Sequence, residues 1–316
     1  MGRFDDRATR PLPGPGKVLR WKLGRRAPRP ADFAALDRVR PAIVDGGAAA
    51  LASGAAVACW IGHATWALRL GGKLIVTDPI FGRAGGMVGR LTPPGVALRD
   101  LPAADVVLIS HDHHDHFAPR SLRRLPADAL YVVPLGNGPR LRSLGKRRVV
   151  ELDWWQTTEL DGLTITLVPA RHWAMRWPWN RNATLWGGFV VRGPEGAAYH
   201  AGDTAWDEHF AEIGRRVGPI DWAMLPIGAY EPRWFMSAQH IDAIEAAQAY
   251  QALGARHLLA MHWGTFKLTD EAVGEPPARL RAWWAAQGLP PDRLWICDLG
   301  EARALRRADA DVAPPA

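Results

Sequence analysis

The apolar run Asp105–Ile109 leads directly into Ser110-His111-Asp112-His113-His114-Asp115-His116. A short apolar run bounded by polar residues reads as a buried strand. The loop that follows carries four cation-binding groups, His111, His113, Asp115 and His116, within six positions. At a strand end, this spacing can turn His111 and His113 toward one metal and Asp115 and His116 toward a second. Imidazole mixed with carboxylate suits zinc, and also manganese or iron. A histidine-rich surface loop is the alternative, but placement directly behind a buried strand argues against it.

Three more groups stand in the same relation to apolar runs. His172 follows Thr164–Ala170, Asp203 follows Ala198–Ala201, and His262 follows Leu258–Met261. A single histidine after a strand is more often structural than a ligand, so none of these would persuade alone. Together with the first motif they make seven donors, enough for two metals. A carboxylate can span two cations about 3.5–4 Å apart, which makes Asp203 the natural bridge.

Further strand-like runs are Val57–Ile61, Leu74–Thr77, Leu130–Val133, Phe189–Val191 and Trp222–Ile227. Helical patterns fall at Ala31–Arg40, Pro119–Leu125, Asp207–Val217, Ala238–Leu253 and Pro276–Gln287, with Ser237 as a cap and Gly254 as a stop for the fourth. Strands come first in meanders and later alternate with helices. That order predicts an α/β fold of two packed sheets with helices outside, rather than one parallel sheet.

The charge is lopsided. Residues 1–40 carry 11 Lys/Arg against 4 Asp/Glu, while the rest of the chain is formally neutral within a net charge of +7. We therefore divide the chain into a basic Pro/Gly-rich arm, residues 1–40, and a main domain, residues 41–316. The arm could rest on anionic lipid headgroups, at about 1 kcal/mol per basic side chain near the surface, or act as a solvated extension. No nucleic-acid-binding module follows it, so nucleic acid is not expected as a partner. Cys59 and Cys297 lie outside any metal-like spacing and point to a reducing compartment. With no secretory signal and no long apolar span, the expected location is cytoplasmic, with peripheral membrane contact allowed. A homodimer is allowed by the sequence but not read from it.

The H-x-H-x-D-H pattern, the later His172, the Gly-Asp-Thr around Asp203 and the final His262 resemble the metallo-β-lactamase superfamily. A narrower resemblance runs from about Trp60 to Leu299. It rests on Trp60-Ile-Gly-His63-Ala-Thr65, on Thr77-Asp78-Pro79-Ile80-Phe81, and above all on Pro226-Ile-Gly-Ala-Tyr230-Glu231-Pro232-Arg233-Trp234-Phe235-Met236. These are similar to the phospholipase D family that hydrolyses N-acylphosphatidylethanolamine. The resemblance implies a four-layer αβ/βα sandwich with two zinc ions at one edge. His111, His113 and His172 would hold one ion and Asp115, His116 and His262 the other, with Asp203 bridging.

The implied activity is a zinc phosphodiesterase that releases N-acylethanolamine and phosphatidic acid by attack of water activated between the metals. Asp203 would orient the attacking water, and His240 would touch the substrate. Tyr230, Arg233, Trp234 and Trp173 are the other expected substrate contacts. His63 and Asp78 are candidates for orienting the ligands, with plain packing the alternative for both. Trp173, Trp177 and Trp179, interleaved with Arg171, Arg176 and Arg181, suit a lipid interface or a loop packed on the protein itself. The competing functions are a lactonase or other metal-dependent hydrolase of a small phosphorylated substrate, and a non-catalytic lipid-binding protein.

Overall fold

The computed structural model of the protein describes residues 2–8, 14–24 and 28–306. Two seven-stranded sheets face each other. The first is built from β1 (Val57–Gly62), β2 (Thr65–Leu70), β3 (Lys73–Thr77), β4 (Val106–Leu108), β5 (Leu130–Pro134) and β6 (Arg148–Leu152). The second holds β7 (Thr157–Leu160), β8 (Leu163–Val168), β9 (Gly188–Gly193), β10 (Gly196–His200), β11 (Trp222–Pro226), β12 (His257–Met261) and β13 (Leu294–Trp295). The last strand, β14 (Ala302–Ala304), returns to pair with β1. Both sheets are mixed. β3 to β6 pair in parallel, as do β10 to β13, whereas the meanders β1–β2–β3 and β7–β8–β9–β10 are antiparallel.

Alternation along the first sheet explains the layering. Ala58, Trp60, Ile75, Leu108 and Val132 join Leu167, Phe189, Tyr199 and Met224 in the core shared with the second sheet. Their neighbours Val107, Ile109, Tyr131 and Val133 face the other way, onto Leu122 and Leu141. Side chains two apart share a face, so each strand serves two cores.

The helices are α1 (Pro15–Leu23), α2 (Phe33–Leu36), α3 (Gly47–Ala52), α4 (Pro119–Arg124), α5 (Gly138–Ser143), α6 (His209–Val217), α7 (Arg233–Met236), α8 (Ala243–Leu253) and α9 (Glu275–Ala286). The helix expected over Ala31–Arg40 shrinks to the four residues of α2. The pattern over Ala238–Leu253 also divides. Asp242, not Ser237, caps α8, accepting from the backbone of Ile244 and Glu245 while the Glu245 side chain returns to the Asp242 backbone. That capping box leaves residues 237–241 as a connecting segment and frees His240 from the helix. Gly254 ends α8 in the left-handed conformation, as expected.

Parts of residues 1–40 pack on the body. Phe4 is buried, its backbone N–H donates to Asn182 O at 3.0 Å, and Asp37 pairs with Lys267 at 2.6 Å.

Candidate metal centre

The residues that follow β4, β8, β10 and β12 meet at one edge of the sandwich. Close approach of their backbones is built in. Gly202 has φ +62, and a Cβ there would lie 2.6 Å from Ser110 Cβ, so only glycine lets Asp203 come alongside the histidine loop. His63, Asp78 and His262 also hold positive φ, at 55°, 35° and 65°. Non-glycine residues in that region cluster where a site over-determines the backbone.

His111, His113, His172 and Asp203 form one group of potential ligands. His111 Nδ1 is 2.9 Å from Ser110 Oγ, and His172 Nδ1 donates to Gln239 O at 2.9 Å. Those bonds turn both Nε2 atoms inward, to 2.9 and 3.2 Å from His113 Nδ1. Each Nε2 lies 3.9 Å from Asp203 Oδ2.

Asp115, His116, His262 and His63 form the second group. The Nε2 atoms of His116 and His262 are 3.3 Å apart, and each is 3.7 Å from Asp115 Oδ2. His63 Nε2 hydrogen-bonds the same Oδ2 at 3.0 Å. Asp203 lies between the groups, with Oδ2 3.2 Å from His116 Nε2 and Oδ1 3.1 Å from His262 Nε2.

These donors fit divalent cations. Four ligands about 2.0–2.2 Å from a tetrahedral zinc are about 3.3 Å from each other, close to the spacing seen here. Ring nitrogens that face one another also repel unless a cation lies among them. Burial, followed by neighbouring imidazoles, holds His111 well below its ordinary pKa and His113 down at about 3; burial likewise takes His172 to about 4. Neutral imidazole is the form that binds metal. Burial would raise the Asp115 and Asp203 carboxyls, but the surrounding imidazoles, His116 foremost, hold both well below the usual carboxylate range. His116 goes the other way. Burial opposes its charge, yet Asp203, Asp115 and Asp78 outweigh burial and push it up. Carboxylates thus outcompete desolvation at this edge, and a cation is the natural complement.

Residues 73–263 match the family model described as the β-lactamase superfamily domain. The chain belongs to the metallo-β-lactamase superfamily. It is 40% identical over 284 residues to an uncharacterised protein of Mycobacterium tuberculosis, covering 84% of this chain and 73% of the relative. It is 36% identical to N-acyl-phosphatidylethanolamine-hydrolyzing phospholipase D 1 of Caenorhabditis elegans, over 77% of this chain and 74% of that one. Among solved structures, a metallo hydrolase of Ignicoccus hospitalis, 23% identical, shares the fold with a TM-score of 0.62, covering 78% of this chain and 97% of that one. The chain is a metal-dependent hydrolase.

In this metallo-β-lactamase fold the supporting residues take definite places. Fully buried Asp78 accepts from Ser110 N at 2.7 Å, from Ser110 Oγ at 2.6 Å and from His116 Nδ1 at 2.7 Å. His63 stands closer in than expected, as a member of the second donor group. Arg140 and Arg176 brace the histidine loop through Asp112 Oδ2 and the carbonyls of Asp112 and Phe117.

A pocket of about 260 Å³ opens over the centre. Its floor is His113, Asp115, Asp203, His240 and His262, and its walls include Trp21, Met87, Val88, Met236 and Leu268. His240 lines it with Nδ1 4.0 Å from Asp203 Oδ2. The other expected substrate contacts sit elsewhere. Tyr230 is buried and donates to Glu275 at 2.8 Å. Arg233 grips Glu245 with two bonds, at 2.9 and 2.8 Å, and donates to His240 O at 3.0 Å, so it positions the His240 backbone. Trp173 donates to Gln239 and packs edge-on against His113 with ring centroids 4.7 Å apart. Trp234 is exposed beneath Arg20. The apolar walls went unnoticed in the sequence. The one signal was an apolar pair, Met87-Val88, set in a glycine-rich turn where burial is not available.

Proposed function

We propose that the chain is a two-zinc phosphodiesterase of phospholipase D type. Its substrates are N-acylphosphatidylethanolamine-like phospholipids, and its products are N-acylethanolamine and phosphatidic acid. The observation that carries the reading is a double group of histidine and aspartate donors at the floor of an apolar-walled pocket. The likeness to the phospholipase of C. elegans supports the lipid class.

His111, His113 and His172 would hold one zinc, Asp115, His116 and His262 the other, and Asp203 would touch both. Bound there, zinc supplies Lewis acidity toward phosphoryl oxygens and lowers the pKa of water. Asp78 fixes the tautomer of His116, and the Gln239 carbonyl fixes that of His172. His240, part of the floor, has a buried Nδ1 with no hydrogen-bond partner among the described residues, and it can hydrogen-bond a phosphoryl or amide oxygen. Asp203 would orient the attacking water. The apolar surface of Met87, Val88 and Leu268 suits an acyl chain.

We also propose peripheral contact with anionic membranes through the basic arm. Lys17, Leu19 and Leu23 are exposed on α1 beside the pocket, an amphipathic set suited to a bilayer surface. Among the described residues no helix is long and apolar enough to cross a membrane. Vesicle binding unchanged by Lys17→Glu would remove this contact.

The test of the enzymatic reading is product analysis with N-acylphosphatidylethanolamine in mixed micelles. Wild type loaded with zinc should release N-acylethanolamine and phosphatidic acid, and Asp203→Asn should release neither. Cleavage of bis(p-nitrophenyl) phosphate without lipid cleavage would keep the phosphodiesterase and discard the lipid. Silence on both would return the lactonase and lipid-binding readings.

A further inference from the structure

Helix α1 lies in the basic arm and exposes Val18, Leu19 and Leu23. Its Trp21 does the opposite and turns into the body. The Trp21 ring packs on Phe235 of α7 with centroids 5.0 Å apart, and its Nε1 donates to Asp270 Oδ2 at 2.7 Å. Asp270 follows Leu268 and Thr269, which line the pocket over the metal centre, and Phe235 precedes Met236, which also lines it. One indole therefore ties together two wall segments that come from different parts of the chain. It also forms a stretch of wall itself. Next to Trp21, Arg20 lies 4.9 Å over the Trp234 ring and adds a second fastening to α7.

The pocket divides by chemistry. Its polar atoms are concentrated at the floor, and Trp21, Met87, Val88, Met236 and Leu268 give apolar surface above it. A phosphodiester seated on the floor must project one substituent along those walls. We propose that Trp21 determines specificity by receiving the apolar tail of the substrate, so that the arm completes the substrate pocket of the hydrolase. The proposal rests on the phosphodiesterase reading for the headgroup and not on the identity of the lipid. An indole offers a large rigid apolar face, and its bond to Asp270 fixes the plane of that face. Each methylene that reaches such a wall should tighten binding up to about fourfold, the equivalent of about 0.8 kcal/mol.

The experiment is calorimetric titration of the zinc-loaded full chain with n-alkyl phosphates from ethyl to decyl. For the wild type, affinity should climb about two- to fourfold per methylene until the pocket is filled. Trp21→Ala should flatten that climb and leave ethyl phosphate unaffected. Trp21→Gln, which keeps an N–H donor for Asp270 but loses the apolar face, should flatten it too, and covers the case in which the alanine variant fails to fold. Trp21→Phe should keep most of the climb. Parallel slopes in wild type and both truncating variants would overturn the proposal. So would the absence of any climb in the wild type, or an equal loss for ethyl and decyl phosphate, which would place the effect at the floor. Because the readout is binding, a Trp21-dependent climb in a protein that releases no N-acylethanolamine would overturn the phospholipase reading alone.

Discussion

Asp78 accepts a hydrogen bond from His116 Nδ1 at 2.7 Å, and that bond decides which nitrogen of His116 faces Asp115, Asp203 and His262. The same carboxylate holds Ser110, whose hydroxyl contacts His111 Nδ1 at 2.9 Å. One buried side chain thus aligns a histidine in each donor group.

Replacing Asp78 by Asn keeps the shape and tolerates the positive φ, but it cannot accept at both oxygens. Loss of such an outer partner typically costs about 10–100-fold in metal affinity. Competition with a chromophoric chelator should show weakening of that order for Asp78→Asn, with a circular dichroism spectrum like the wild type. Undiminished affinity would make Asp78 a packing residue only.

His240 stands apart from both donor groups, so its removal should separate chemistry from metal binding. For His240→Ala we expect zinc content unchanged and kcat lower by about 10²-fold, the scale of losing one hydrogen-bond donor at a reacting group. Loss of zinc in this variant would place His240 among the ligands. Arg233→Lys keeps the charge but not the two-pronged grip on Glu245, and should lower kcat less than His240→Ala does, again with zinc retained.

The seven expected donors were legible because each follows a buried apolar run, and a strand end delivers its next residues to a fixed edge. His63 was harder to place. Its approach to Asp115 depends on a left-handed turn and on the Thr265 hydroxyl, which accepts from its backbone at 2.7 Å. Tyr230, Arg233 and Trp234 share one family-like segment, and only packing decides that the first donates to Glu275 and the second to Glu245. Strand β2 escaped because its run is interrupted by Arg69, whose guanidinium reaches the carbonyls of Leu51 and Gly72. Trp21 and Asp270 are 249 positions apart, a separation that no local pattern can bridge. Asp242 outcompeted Ser237 as a cap because only Asp242 has a glutamate three residues on, completing the reciprocal pair.

Acid sensitivity follows from His209, which lies outside the donor groups. Burial first, and then the Arg171 guanidinium, pushes it down to about 3. A histidine in the unfolded chain protonates near about 6.5. Between those values the unfolded chain holds the proton and the folded chain does not. Stability is therefore fully present above about 6.5 and falls as pH drops toward 3. The urea midpoint should decline across that window, and His209→Gln should reduce the decline. An unchanged slope in the variant would contradict the assignment.

In the proposed enzyme Asp203 would lie between two cations. Native mass spectrometry of the zinc-loaded protein tests it most directly. Two zinc ions per chain in the wild type, with weakened uptake in Asp203→Asn at unchanged fold, is the predicted result. A wild-type chain that takes up one zinc or none would contradict it.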